Sequence, residues 1–231
     1  MKPHGDVIRL TNLSHAWPQQ APLFDIPHLS LPRGEHLFIQ GPSGCGKSTL
    51  LSLLAGVQQV QQGLCQVLGQ DLAQLSPVER DSLRGEHMGV IFQQFNLLPF
   101  LDTQANALMP TRLFPSRAQA ASAAFGSALQ QAQSLAEGLG LSPALWHRPV
   151  HQLSVGQQQR VAAVRALMGQ PQLIIADEPT SALDDAKQLE FLDLLLGTAA
   201  QQGASVVMVS HNARLASRFH QVHVWPDKAG A

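Results

Sequence analysis

The sequence predicts an α/β fold built around a parallel sheet, and three observations carry that prediction. Apolar runs bounded by Gly, Pro and polar clusters alternate along the chain with helix-forming stretches. Two of the runs, "QLIIADE" (172 to 178) and "ASVVMVSH" (204 to 211), are too apolar for half-exposed strands and belong centrally in a sheet covered on both faces. A glycine-rich stretch, "GPSGCGKST", falls between an expected strand and an expected helix, the arrangement that holds phosphate in such folds.

The elements follow in chain order. "VIRLTNL" (7 to 13) and "HLFIQ" (36 to 40) read as strands, and "STLLSLLAG" (48 to 56) as a buried helix ended by Gly56. "GLCQVLGQ" (63 to 70) and "MGVIFQ" (88 to 93) add further strands. From about 116 to 140 the chain is rich in Ala, Gln and Leu, with few β-branched residues, and its Leu and Phe spacing buries one side, so a helical insertion is expected there. No repeat period or low-complexity linker interrupts the pattern, and residues 1–231 are expected to form one domain.

Composition narrows the function. The 231 residues are 45 % apolar and 13 % charged, enough for one sizeable core, and the formal net charge of −1 lacks the broad basic field that holds nucleic acid. The amino-terminal residues have no apolar stretch of signal-peptide length, and no run of about 18 apolar residues occurs, so the chain is expected in the cytosol with nothing spanning a bilayer. Cys45 and Cys65 lack metal-ligand spacing and are expected as free thiols. His147 and His151 are separated by Pro149 with no carboxylate close in sequence, which disfavours a metal site there.

The chemistry concentrates in two places. Gly41 to Thr49 fits G-x-x-x-x-G-K-[ST], in which glycines let backbone N–H groups face a β-phosphate, Lys47 brings charge to β and γ oxygens, and the Ser48 hydroxyl can ligate Mg²⁺. The expected nucleotide contacts are Gly41, Ser43, Gly44, Cys45, Gly46, Lys47, Ser48 and Thr49. In "LIIADEPTSALDD", Asp177 ends a buried strand and suits Mg²⁺ through a water, while Glu178 is placed to orient or deprotonate an attacking water; a solvated turn pair is the competing reading. A further stretch, "LSVGQQQRVA", carries Ser154 and Gly156 at an expected helix start, where a hydroxyl and free N–H groups can hold a second anion.

Together these residues resemble the ATP-binding subunits of ABC transporters almost end to end. The Lys47 loop resembles the Walker A motif, "LIIADE" the Walker B motif, "SALD" (181 to 184) the D-loop, His211 the switch histidine and "LSVGQ" the signature motif. The resemblance implies a P-loop NTPase core with a parallel sheet, a small antiparallel β sub-domain and a helical sub-domain over roughly residues 95–165. It also implies ATP and Mg²⁺ as cofactors, and a head-to-tail homodimer or heterodimer in which Ser154 and Gly156 cover the γ-phosphate held by the other copy. The commonest signature has glycine where this chain has Val155. A side chain pointing away from the phosphates leaves the loop working, whereas a requirement for φ > 0 would strain a β-branched residue.

Other family positions carry over with alternatives. Gln93, with Gln94 as an adjacent rival, matches the Q-loop glutamine that meets Mg²⁺ and the attacking water. Trp17 stands where a tyrosine usually stacks on adenine, and a Trp packed in the β sub-domain is the other reading. His211 would steady the γ-phosphate or be a core histidine, and Asn212 follows it where an aspartate is common. The "FQQFNLLPFLDTQANALMP" stretch is similar to that of ATPases from lipoprotein-release and macrolide-export systems. The implied function is ATP hydrolysis that drives a separate integral-membrane permease from the cytoplasmic face of the membrane. A soluble ABC ATPase acting in translation or DNA repair is the alternative, and a small-molecule P-loop kinase leaves "LSVGQ" unexplained.

Overall fold

The computed structural model describes residues 5–19 and 21–225. Five parallel strands form the central sheet: β3 (His36–Gln40), β6 (Met88–Ile91), β7 (Leu173–Asp177), β8 (Ser205–Ser210) and β9 (Gln221–Val224), in the order β6-β7-β8-β3-β9. A second, antiparallel sheet in the order β2-β1-β4-β5 contains β1 (Asp6–Ala16), β2 (Pro22–Pro32), β4 (Gln62–Val67) and β5 (Gln70–Asp71).

The interior strands β7 and β8 are the two runs whose apolarity demanded cover on both faces. Alternation along the pleat divides the buried residues. Leu37, Ile39, Leu173, Ile175, Val207 and Val209 join the core shared with the antiparallel sheet and helix α1 (Lys47–Leu54), while Phe38, Ile174, Ala176, Val206 and Met208 join the core on the opposite face.

That opposite core is supplied by helices α3 (Thr103–Leu113), α5 (Ala128–Gly138), α6 (Val155–Leu167) and α7 (Asp185–Gln201), with α4 (Pro115–Phe125) packed on α3 and α5, while α2 (Pro77–His87) leads into β6. The helical stretch expected near 116–140 resolves into α4 and α5, separated at Gly126 (φ +83°). Arg117 of α4 is 2 % exposed. Its guanidinium donates to the carbonyls of Gly85 and Met168, each at 2.7 Å, and to that of Met88. Burial lowers its pKa to about 10, so it remains charged near neutrality.

Four parallel strands end at the same edge of the sheet. The residues after β3, β6, β7 and β8 therefore converge, which is where an open α/β sheet places its ligands.

Candidate nucleotide site

The loop after β3 curls because Gly44 (φ +78°) and Gly46 (φ +107°) occupy left-handed backbone. Gly46 also packs tightly, since a Cβ there would lie 2.9 Å from Leu23 Cγ and 3.0 Å from Phe24 Cδ1 of β2. The antiparallel sheet thus braces the loop from outside. Lys47 begins α1 and is buried, with Nζ donating to the carbonyls of Gly41 at 2.8 Å and Pro42 at 2.7 Å, and lying 3.8 Å from Cys45 Sγ. Cys45 is a buried free thiol, as is Cys65, while Ser43 and Gly44 are exposed.

Ser48 shares a cavity with Asp177 at the end of β7, its hydroxyl beside the carboxylate. Burial raises the pKa of Asp177, and the neighbouring Glu178 charge adds to that rise; the Ser48 hydroxyl and the Lys47 ammonium pull it back. A half-buried carboxylate short of positive charge beside a hydroxyl is an oxygen donor set that fits Mg²⁺. A cavity of about 110 Å³ lined by Ser48, Arg84, Phe92 and Asp177 adjoins the pair.

Glu178 sits at φ +44°, outside the backbone conformations that a glutamate ordinarily takes. Its N–H donates to Val209 O at 3.0 Å, and its carbonyl accepts from Ser181 N at 3.2 Å. The side chain turns toward the end of β8, where Ser210 Oγ donates to Oε2 at 3.0 Å and His211 Nδ1 lies 3.1 Å from both carboxylate oxygens. Such backbone strain persists only where the surroundings hold it, and it is enriched at sites doing chemistry. Lys47, Ser48, Asp177, Glu178 and His211 therefore form one cluster drawn from three strand ends.

Gln93 lies exposed in the turn after β6, closed by Phe95 N donating to Phe92 O at 2.9 Å; the register of Ile91 opposite Ala176 sets this turn beside the Asp177 end. Its neighbour Gln94 is also exposed. Trp17 follows β1, 41 % exposed, edge-on to His15 with ring centroids 5.2 Å apart. His15 stacks on Phe24, and Phe24 meets Trp225 edge-on, so Trp17 belongs to an aromatic series that ends at the phosphate loop. Trp225 escaped the sequence reading: a Cβ at Gly41 would lie 2.6 Å from Trp225 Cβ, which is why that position has none.

Ser154 and Gly156 stand apart from this cluster, at the start of α6. Ser154 caps the helix through a reciprocal pair with Gln157: its Oγ accepts from Gln157 N at 3.3 Å, and its N–H donates to Gln157 Oε1 at 2.9 Å. Val155 is the first helical residue and has no positive φ; its side chain is 47 % exposed. The β-branched residue is therefore unstrained. Gly156 packs toward Leu183, whose Cδ2 would lie 3.5 Å from an added Cβ.

The family model described as ABC transporter matches residues 24–181. The lipoprotein-releasing system ATP-binding protein LolD of Legionella pneumophila (strain Paris) is 38 % identical over 196 residues, covering 85 % of this chain and 83 % of that protein. The Escherichia coli K12 protein named uncharacterized ABC transporter ATP-binding protein YbbA is 39 % identical over 190 residues, 82 % of this chain and 80 % of its own. The macrolide export ATP-binding/permease protein MacB of Rhodopirellula baltica is 36 % identical over 84 % of this chain, which spans 28 % of that longer protein. Among solved structures, the dimeric ABC transporter cassette MJ0796 superposes with a TM-score of 0.80 at 28 % identity, covering 94 % of each chain. A post-hydrolysis dimer of the same cassette with ADP and Pi gives the same TM-score.

Proposed function

Because the chain belongs to the ABC transporter family, we propose that it is the ATP-hydrolysing subunit of a transporter, working as a dimer against a separate membrane permease. The observation that carries this reading is the cluster of Lys47, Ser48, Asp177, Glu178 and His211 in a chain whose residues 24–181 match the ABC transporter family. Two copies closing head to tail give each ATP a Lys47 from one chain and an α6 amino terminus from the other. Residues 1–231 form one ABC ATPase domain, with residues of roughly 95–165 as its helical sub-domain.

In this reading the residues divide the work. Gly41, Ser43, Gly44, Cys45, Gly46 and Thr49 cradle the phosphates, and Trp17 faces the base. The β- and γ-phosphate oxygens replace the Gly41 and Pro42 carbonyls as acceptors for Lys47. Ser48, Asp177 and Gln93 would hold Mg²⁺, which would supply charge neutralisation on the phosphates. Glu178 accepts the proton of the attacking water, and His211 holds the carboxylate and steadies negative charge on the γ-phosphate.

No helix among the described residues is long and apolar enough to cross a membrane. The protein sits at the cytoplasmic membrane face through its permease. Exposed Phe92 and Leu113 line a groove of about 260 Å³ between β6 and helices α3 and α4, an apolar rim suited to a helix of that partner. The relatives LolD and MacB point toward lipoprotein release or export.

Tagged Glu178→Gln protein, recovered from native membranes in mild detergent with ATP, tests the assignment by mass spectrometry. A stoichiometric membrane protein is expected. Recovery of only a soluble dimer, or of ribosomal or DNA-repair components, would refute the transporter reading.

A further inference from the structure

A hydrogen-bonded chain runs from the 181–184 loop to the catalytic carboxylate through two residues that the mechanism above leaves unused. Gln188, in the first turns of α7, is 8 % exposed and donates through Nε2 to Leu183 O at 2.9 Å. Its Oε1 accepts from Asn212 Nδ2 at 2.8 Å. Asn212 Oδ1 accepts from Arg214 N at 3.2 Å, and Asn212 N donates to Ser210 Oγ at 3.2 Å. Ser210, 1 % exposed, then aims its single hydroxyl proton at Glu178 Oε2.

The orientation of both amides is fixed by the backbone. Leu183 O can only accept, so the Gln188 amide presents Nε2 to it and Oε1 to Asn212. Arg214 N–H can only donate, so Asn212 turns Oδ1 to it and Nδ2 to Gln188. The two side chains are complementary as asparagine and glutamine, in these orientations alone. A carboxylate at 212 would oppose Gln188 Oε1 with a second acceptor, and relieving that clash by rotating the Gln188 amide would set Oε1 against Leu183 O. Partly buried acceptors facing each other cost free energy, so the loop would shift instead.

We propose that Gln188 and Asn212 form a positioning pair that fixes the Glu178 carboxylate by way of Ser210 and ties it to the Leu183 turn. The proposal rests on the general-base reading of Glu178. Neither residue touches the phosphate loop, and their effect is on geometry: the Asn212 N–H occupies the Ser210 hydroxyl oxygen, leaving its proton for Oε2. Leu183 also packs on Gly156, so the pair joins the start of α6 in one copy to the water-activating group of the same copy.

Steady-state ATP hydrolysis by the full-length protein tests this with Asn212→Asp, Gln188→Lys, the double variant and Glu178→Gln. Asn212→Asp is expected to lower kcat roughly tenfold while KM for ATP changes less than about twofold, since sub-ångström displacement of a reacting group acts on the chemical step. Gln188→Lys combined with Asn212→Asp should restore most of kcat, because one ammonium can donate both to Leu183 O and to the new carboxylate. In the Glu178→Gln background, Asn212→Asp should cause no further loss.

Wild-type kcat in Asn212→Asp, or an equal loss in kcat and in apparent ATP affinity accompanied by a lower melting temperature, would overturn the pair. Failure of the double variant to recover, with its fold intact by circular dichroism, would also overturn it. Retained turnover in Glu178→Gln refutes the general-base reading itself, whereas loss there with wild-type kcat in Asn212→Asp refutes the pair alone.

Discussion

His211 Nδ1 lies 3.1 Å from Oε1 and 3.1 Å from Oε2 of Glu178, so one ring nitrogen is shared between both oxygens of a single carboxylate. The histidine side chain is 64 % exposed and the glutamate 14 %, which places the ring as a cover over the carboxylate on the solvent side. An opening ring leaves the carboxylate with Ser210 as its remaining side-chain partner and a free face for water. Glu178→Gln preserves the shape and the Ser210 acceptor while removing the base. Turnover should fall by about 10² or more, and the variant should accumulate as an ATP-bound dimer on size exclusion. Unchanged phosphate release would remove Glu178 from the role of base.

Lys47→Ala should chiefly abolish nucleotide binding. The lysine is the cation of the phosphate loop, and its ammonium gathers the Gly41 and Pro42 carbonyls. Titration calorimetry with a non-hydrolysable ATP analogue checks this. Micromolar affinity in the variant would contradict the assignment.

Val155→Gly, which restores the commonest signature, should leave hydrolysis within about twofold, because Val155 already takes ordinary helical backbone and points outward. The helix should lose about 0.5 kcal/mol or less, read as a small drop in melting temperature. A tenfold gain in turnover would mean that the valine obstructs the phosphate contact.

Asp177→Asn should stabilise the nucleotide-free protein at neutral pH while abolishing Mg²⁺-dependent hydrolysis. Burial raises the folded pKa of Asp177, so the unfolded chain gives up that proton first and stability falls as pH rises through the folded value. Melting in chelator across acidic to neutral pH should show the variant gaining over the wild type as pH rises. A constant difference at every pH would sink this account.

His36 gives an acid limit of its own. It is buried beneath His220 with ring centroids 5.0 Å apart, and burial together with the His220 charge lowers its pKa to about 4. With an unfolded value near 6.5, the depressed pKa contributes stability that is present above pH 6.5 and lost as pH falls toward 4, on the order of 3 kcal/mol at most. His36→Phe should flatten the loss of melting temperature between pH 6.5 and 4.5. An unchanged slope would assign that loss to other groups.

The sequence made the central strands legible because β3, β7 and β8 are short apolar runs with a single reading, and β3 spans 36–40 as expected. The Walker residues were legible for the same reason, since the glycine spacing reflects backbone that only glycine takes readily. β2 was missed: Pro22, Pro27 and Pro32 argue against a strand, yet an edge strand tolerates missing N–H donors, and β2 lies at the edge of its sheet. α2 was missed although Ser76 and Glu79 form a capping box, a signal present in the sequence. The strain at Glu178 and the Gln188–Asn212 contact had no sequence signature, because both arise where β7, β8 and α7 meet in space.

Arg117 bears on how a push from a membrane partner would travel. The carbonyls it grips belong to Gly85 and Met88, at the junction of α2 and β6, and to Met168, where α6 gives way to the segment leading into β7. In mechanical terms the guanidinium is a rivet through three plates. A force on the rim at Leu113 reaches the starts of β6 and β7 with little slack, and the strands are stiff rods whose far ends carry Gln93 and Asp177. The turn at 92–96 is pinned in its own way: Phe95 and Asn96 hold left-handed backbone, and Arg165 donates to the Phe95 carbonyl at 2.6 Å and to the Asn96 carbonyl at 2.7 Å. Two arginines, Arg117 at the near end of β6 and Arg165 at the turn beyond its far end, thus clamp both ends of the lever arm that leads to the fuel.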